Sequence, residues 1–84
     1  MTLPPSVLQR LRNVSAGELA RALERDGFSY RRRKGSSRVY RHEDGRRVIV
    51  HFHRSSDTFP LGTLRSILQG ARWAEEDVRR LGLI

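Results

Sequence analysis

Between Phe28 and Arg54 the chain runs through three short alternating stretches, broken by two turn signals. A period of two sends successive side chains to opposite faces, the mark of a strand. Phe28-Ser29-Tyr30-Arg31-Arg32 predicts a first strand. Ser37 to His42, carrying Val39 and Tyr40, predicts a second, and Arg47 to His53 a third. Arg33-Lys34-Gly35-Ser36 is a basic turn, and Glu43-Asp44-Gly45 holds the Asp-Gly pair that tight hairpins favour. In the third strand Val48, Val50 and Phe52 share one face, the expected core face. Ile49, His51 and His53 share the other, with arginines.

Helical spacing flanks this meander. Ser15-Ala16-Gly17-Glu18 is a capping box: the Ser15 hydroxyl takes the Glu18 amide and the Glu18 carboxylate reaches back to the Ser15 amide. Leu19, Ala20, Ala22 and Leu23 follow, and Gly27 supplies a left-handed stop, so a helix is predicted over 16–26. A second begins near Thr63 as cap, buries Leu64, Ile67 and Leu68, and ends at Gly70. Trp73 packs where the chain turns. A short last helix over 74–81 opens on acids and closes on arginines, as the helix dipole prefers. Residues 1–13, with a Pro-Pro pair and Val7, Leu8 and Leu11, read as an N-terminal arm or a short helix.

The order is α-β-β-β-α-α. It predicts an α+β fold in which a three-stranded antiparallel sheet lies under helices on one face and is open on the other. The double-stranded-RNA-binding module has this α-β-β-β-α order and reads RNA by shape, phosphate and 2′-hydroxyl. At 84 residues there is room for one domain, 1–84, with a core small enough that a partner chain or a homo-oligomer would add stability.

The meander is also where the charge lies. Nine basic residues against two acids give residues 28–54 a charge of +7 of the chain's +8. Arginine forks match phosphate oxygens, and cations on a polyanion release condensed counterions. Charge on an exposed strand also blocks edge pairing, and an arginine-rich chain can follow base composition or heat adaptation. Contact with nucleic acid is the favoured reading. A DNA-reading helix ranks last, because no helical stretch carries the basic and amide residues a groove reader needs.

The absence of cysteine excludes disulfides and Cys-ligated zinc. No apolar run approaches the length of a membrane span, and the expected setting is cytoplasmic, without a membrane. No phosphate-binding glycine loop, nucleophile elbow or carboxylate cluster is present.

Three histidines remain: His42, His51 and His53. The spacing His-x-His on a strand puts two rings on one face. One reading is a metal site with Asp57 as third ligand; it is disfavoured, and no cofactor is expected. Another is acid–base cleavage of RNA. A base takes the proton of a 2′-hydroxyl, the oxygen attacks the neighbouring phosphate, and an acid protonates the leaving oxygen. The third is that each histidine is a surface residue without a role.

Taken together the residues resemble the HicA family, small RNA-cleaving toxins of toxin–antitoxin pairs. The likeness covers roughly Ser15 to Leu68. It is carried by five segments: Glu18 to Phe28, Arg32 to Ser36, Tyr40 to Val48, Val50-His51-Phe52-His53, and Gly62 to Leu68. The resemblance implies an RNA-binding-module fold used as a metal-independent endoribonuclease on mRNA, and a HicB-type antitoxin that covers the site. It implies catalytic positions at Ser37 and His53. It implies RNA contacts from Arg32, Arg33, Lys34, Gly35 and Ser36, and further ones from Arg38, Arg41, Thr63 and Arg65.

Two departures matter. The family's usual catalytic histidine falls on Ser37, and His51 stands where the family tends to have proline; His53 matches the family's second histidine. A serine hydroxyl is no base near neutral pH. Three explanations fit: a degenerate toxin that still binds RNA or antitoxin, a replacement of the lost base by His51, His53 or His42, or a deliberately inactivated form. Reduced cleavage with retained binding is the expectation. The rival reading is a non-catalytic RNA-binding or antitoxin-binding module.

Overall fold

The turn at Asp44 sets the register of the sheet. In the computed structural model, which describes residues 3–35 and 37–84 (backbone alone at 32–34), Gly45 takes φ +98°, a region that favours glycine. The Asp44 carboxylate accepts the Arg46 amide at 3.0 Å and its Nε at 2.7 Å. The His42 amide donates to the Arg46 carbonyl at 2.9 Å and closes the hairpin. Equal steps outward from Asp44 pair Arg41 with Arg47, Val39 with Ile49, and Ser37 with His51.

The strands are β1 (Ser29–Lys34), β2 (Ser37–Arg41) and β3 (Arg47–His51), antiparallel in the order β1-β2-β3. Two boundaries differ from the sequence expectation. Arg33 and Lys34 belong to β1, opposite Arg38 and Ser37, so the basic turn is shorter than predicted. An irregularity between Tyr30 and Arg32 shifts the pairing register there, and the unbroken basic run that follows carries no apolar alternation to mark the strand. At the other end β3 stops at His51 instead of His53. Asp57 Oδ2 takes the amides of His53 and Arg54, both at 3.0 Å, and draws the chain out of the sheet.

Among the described residues, four helices cover one face: α1 (Pro5–Leu11), α2 (Ala16–Arg25), α3 (Leu61–Ala71) and α4 (Glu75–Arg80). The N-terminal segment forms a helix, not an arm: Val7, Leu8 and Leu11 are buried in the same cluster as Leu19, Leu23, Tyr40, Val48, Val50, Leu64, Ile67 and Leu68. The architecture is α+β with the expected α-β-β-β-α arrangement, compatible with the double-stranded-RNA-binding-module fold. Among the described residues, no helix is long and apolar enough to cross a membrane.

The helix ends refine the sequence reading. Ser15 Oγ accepts the Glu18 amide at 3.2 Å as predicted, but Glu18 Oε1 takes the Ser15 hydroxyl at 3.1 Å, so the reciprocal half of the box closes on the side chain. Thr63 is not the cap of α3. Pro60, extended at φ −61° and ψ 157°, holds that place, and its carbonyl accepts the Leu64 amide at 3.0 Å. Gly70 is not the stop. The helix passes through it to Ala71, and Arg72 takes the left-handed turn at φ 57°. Gly70 is there for closeness: a Cβ at that position would lie 2.9 Å from the Arg47 carbonyl oxygen of β3.

Candidate nucleic-acid interface and catalytic face

Register decides which side chains reach the open face. Ser37, Val39 and Arg41 of β2 stand there beside His51, Ile49 and Arg47 of β3. Val48 and Val50 are buried on the other face, whereas Ile49 is 42% exposed. Arg41 and Arg47 are directly opposite each other and both exposed, so two cations share the end of the ladder nearest the hairpin turn. Like charges so placed repel, a cost that a bound polyanion would relieve.

At the other end of the ladder Ser37 and His51 meet. Ser37 Oγ and His51 Nδ1 are 2.8 Å apart, a side-chain hydrogen bond across the sheet. His51 and His53 also line one open cleft of about 450 Å³, together with Asp57, Thr58, Phe59, Pro60 and Thr63. Phe52 and Phe59 give the cleft an apolar floor, since both are buried. The Arg54 and His53 amides on Asp57 hold its carboxyl below the usual carboxylate range. The same loop grips α2: the Ala16 amide donates to the Asp57 carbonyl at 2.7 Å and the Gly17 amide to the Ser55 carbonyl at 2.9 Å. The backbone beside His53 is thereby fixed to the helical layer.

The sites expected from sequence divide into groups. Ser37, His53 and Thr63 lie around the Ser37–His51 end of the sheet, and Arg41 is on the same face. Arg38 leaves from the helix-covered face, its guanidinium 4.2 Å from the centre of the Phe52 ring, in a cation–π contact. Its Nε is buried with no hydrogen-bond partner. Arg65 is exposed on α3 and lines a different cavity, of about 350 Å³, with Leu3, Leu8 and Trp73. Arg32, Arg33 and Lys34 are placed in β1 by their backbone, and Gly35 turns with φ +60°. Ser36 lies outside the described residues.

His42 is set apart from the other two histidines. Its Nε2–H donates to the Asp26 carbonyl at 2.9 Å, and its Nδ1 accepts the Asp44 amide at 3.2 Å. Its ring packs edge-on against Phe28, with centroids 5.2 Å apart. Nδ1 also lies 3.1 Å from Asp44 Oδ1, so both nitrogens are committed to the fold.

Sequence reasoning missed Asp26. Its carboxylate accepts Trp73 Nε1 at 2.8 Å, Arg46 Nη1 at 3.0 Å and Arg80 Nη2 at 2.9 Å. The side chain is only 10% exposed. Burial works to raise its pKa, but the donors from Trp73, Arg80 and Arg46 outweigh it and hold the carboxyl below 3.8. Arg46 also donates to the Ala71 carbonyl at 2.6 Å and stacks 4.9 Å from the Phe28 ring centre. Arg46 thus belongs to the scaffold, and the charge it contributes to residues 28–54 is neutralised inside the protein.

Among the described residues, no three His, Cys, Asp or Glu side chains gather in a way that could hold a metal ion. What the open face offers is exposed arginines, a serine–histidine contact, a second histidine and a cleft beside them. No curated protein matches the chain. The family model described as the HicA toxin of bacterial toxin–antitoxin systems matches residues 16–73, which include all three strands, Ser37, all three histidines and Asp26. On that match, the chain belongs to the HicA toxin family.

Proposed function

We propose that this toxin is an endoribonuclease that cleaves mRNA by metal-independent acid–base chemistry on the open face of its sheet. The observation that carries the reading is the grouping of Ser37, His51, His53 and the cleft at one end of a strand pair whose other end bears Arg41 and Arg47. In-line attack by a 2′-hydroxyl needs a base and an acid on either side of one phosphate, and cations that favour the charge of the phosphorane-like transition state. His53 serves as general acid or base. Lys34 and Arg41 hold phosphates, joined by Arg32, Arg33, Gly35 and Ser36. Thr63 offers a hydroxyl from the cleft wall. Arg38 and Arg65 act at the margins of the RNA path. The whole chain works as one domain.

Family membership implies a HicB-type antitoxin as partner. Its contact surface should be acidic, because a basic face excludes like charge and attracts the opposite.

A second reading is favoured by one residue. Ser37 cannot itself accept a proton near neutral pH, so the chain could bind RNA or antitoxin without cleaving. Both readings predict RNA binding that weakens steeply with salt. They part on scission: incubation of His53→Ala and the unmodified chain with the same mRNA should abolish strand breaks only in the variant. Equal scission by the two would remove His53 from the mechanism, and binding with no scission by the unmodified chain would favour the binding module.

A further inference from the structure

We infer that His51 is the general base of the cleavage reaction and that Ser37 is the residue that positions its ring. The inference rests on the ribonuclease reading above and deepens it. Of the three histidines, His42 is excluded by geometry, because both its ring nitrogens are spent on Asp26 and Asp44 backbone groups. His53 is exposed, and its described hydrogen bond to Asp57 comes from its backbone amide. His51 has an imidazole nitrogen held by a side chain across the open face of the sheet: Nδ1 is 2.8 Å from Ser37 Oγ.

That contact follows from the ladder. Ser37 and His51 are direct partners across β2 and β3, on the open face. Opposite residues of an antiparallel pair have Cβ atoms roughly 5 Å apart. A hydroxyl on one strand therefore meets the near nitrogen of an imidazole on the other. With Nδ1–H donating to Ser37 Oγ, the lone pair lies on Nε2. Among the described residues Nε2 has no protein partner, and the ring borders the cleft shared with His53. An imidazole oriented by a second group through one nitrogen, with the other free to act, is the general arrangement of an activated base.

The chemistry balances without a co-reactant. Nε2 of His51 accepts the 2′-hydroxyl proton, the 2′-oxygen forms a bond to phosphorus, and the bond to the 5′-oxygen breaks. Protonated His53 gives its proton to that leaving oxygen. The products are a 2′,3′-cyclic phosphate and a 5′-hydroxyl. The groups around His51 are Ser37 from β2, His53 and Asp57 from the loop after β3, and Thr63 from α3. Lys34 is the backbone partner of Ser37 on β1.

The test compares the unmodified chain with His51→Ala, His51→Gln, Ser37→Ala and Ser37→His on one structured mRNA in EDTA. Circular dichroism confirms the fold of each, and His51 is exposed, so its replacement leaves the core intact. The expected result is cleavage by the unmodified chain and a loss of about 100-fold or more in both His51 variants. Ser37→Ala should lose less. Its pH–rate profile should shift, and nitrogen NMR of the His51 ring should show the Nδ1–H tautomer giving way to a mixture. Unchanged cleavage by His51→Ala overturns the assignment and leaves the ribonuclease reading standing. Cleavage by Ser37→His alone also overturns it, since the His51 ring would then be insufficient. Silence from every chain overturns the ribonuclease reading along with it.

Discussion

Ser37 Oγ lies 2.8 Å from His51 Nδ1, across the two strands of one hairpin. Fourteen positions apart in sequence, the two are brought together by the turn at Asp44 and the ladder that runs out from it. The same turn pairs Arg41 with Arg47, so one register places the Ser37–His51 contact at one end of the face and two cations at the other. The phosphates of a bound strand would therefore run from the hairpin end toward the cleft.

The paired arginines give a salt-dependence prediction. Arg41→Ala and Arg47→Ala should each weaken RNA binding and lower the slope of log K against log salt by about 0.7 to 1, one phosphate contact apiece. Arg46→Ala should destabilise the fold, because Arg46 is held by Asp26, Asp44 and the Ala71 carbonyl. Binding titrations from low to high salt on the folded variants measure this. An unchanged slope in Arg41→Ala would place the RNA path elsewhere.

Asp26 predicts acid sensitivity. Its folded pKa lies below 3.8, and its unfolded value is about 3.9. A depressed carboxyl contributes stability that is fully present above the unfolded pKa and lost as pH falls through the folded one. Asp26→Asn should therefore flatten the fall of stability below about pH 4. At neutral pH, Asp26→Ala should cost about 3 kcal/mol, because it leaves Arg46 and the Trp73 indole without their acceptor. Urea unfolding at several pH values reads both effects. A parallel pH dependence in Asp26→Asn and the unmodified chain would contradict the first.

His42 predicts stability without activity. His42→Ala removes a ring hydrogen-bonded at both nitrogens and packed on Phe28, and should cost about 2 kcal/mol. Cleavage per folded molecule should not change. Should activity fall more than the folded fraction does, His42 would have a part in the chemistry.

Gly70 carries the closest approach of helix to sheet. Gly70→Ala puts a methyl 2.9 Å from the Arg47 carbonyl oxygen, so α3 must shift away from β3. The expected cost is about 2 kcal/mol, although alanine is the better helix former. Thermal melting settles the sign, and a stabilised variant would show that the helix yields freely.

Much of this arrangement was legible in the sequence because it is local. Alternation in Val48–Phe52 set the buried face, and the Asp-Gly pair set the turn. With that turn known, counting outward from Asp44 places Ser37 opposite His51, so the central contact was within reach of register alone. Other parts depended on distant partners. Asp26 looks like the tail of a helix, and its donors Arg46, Trp73 and Arg80 come from three other segments. Arg46 reads as surface charge until its partners are seen. Gly70 reads as a stop because a glycine near a helix end often is one; the approach of β3 that requires it is a tertiary fact. Thr63 reads as a cap because a hydroxyl suits one, yet the Pro60 carbonyl opened the helix earlier.

On the proposed function, RNA should be cut on this face without a metal. The most direct measurement is end analysis of a structured mRNA after incubation with the purified chain in EDTA. The account predicts fragments ending in a 2′,3′-cyclic phosphate and beginning with a 5′-hydroxyl. Intact RNA in EDTA, or breaks that need added divalent cation and carry 5′-phosphates, would contradict it.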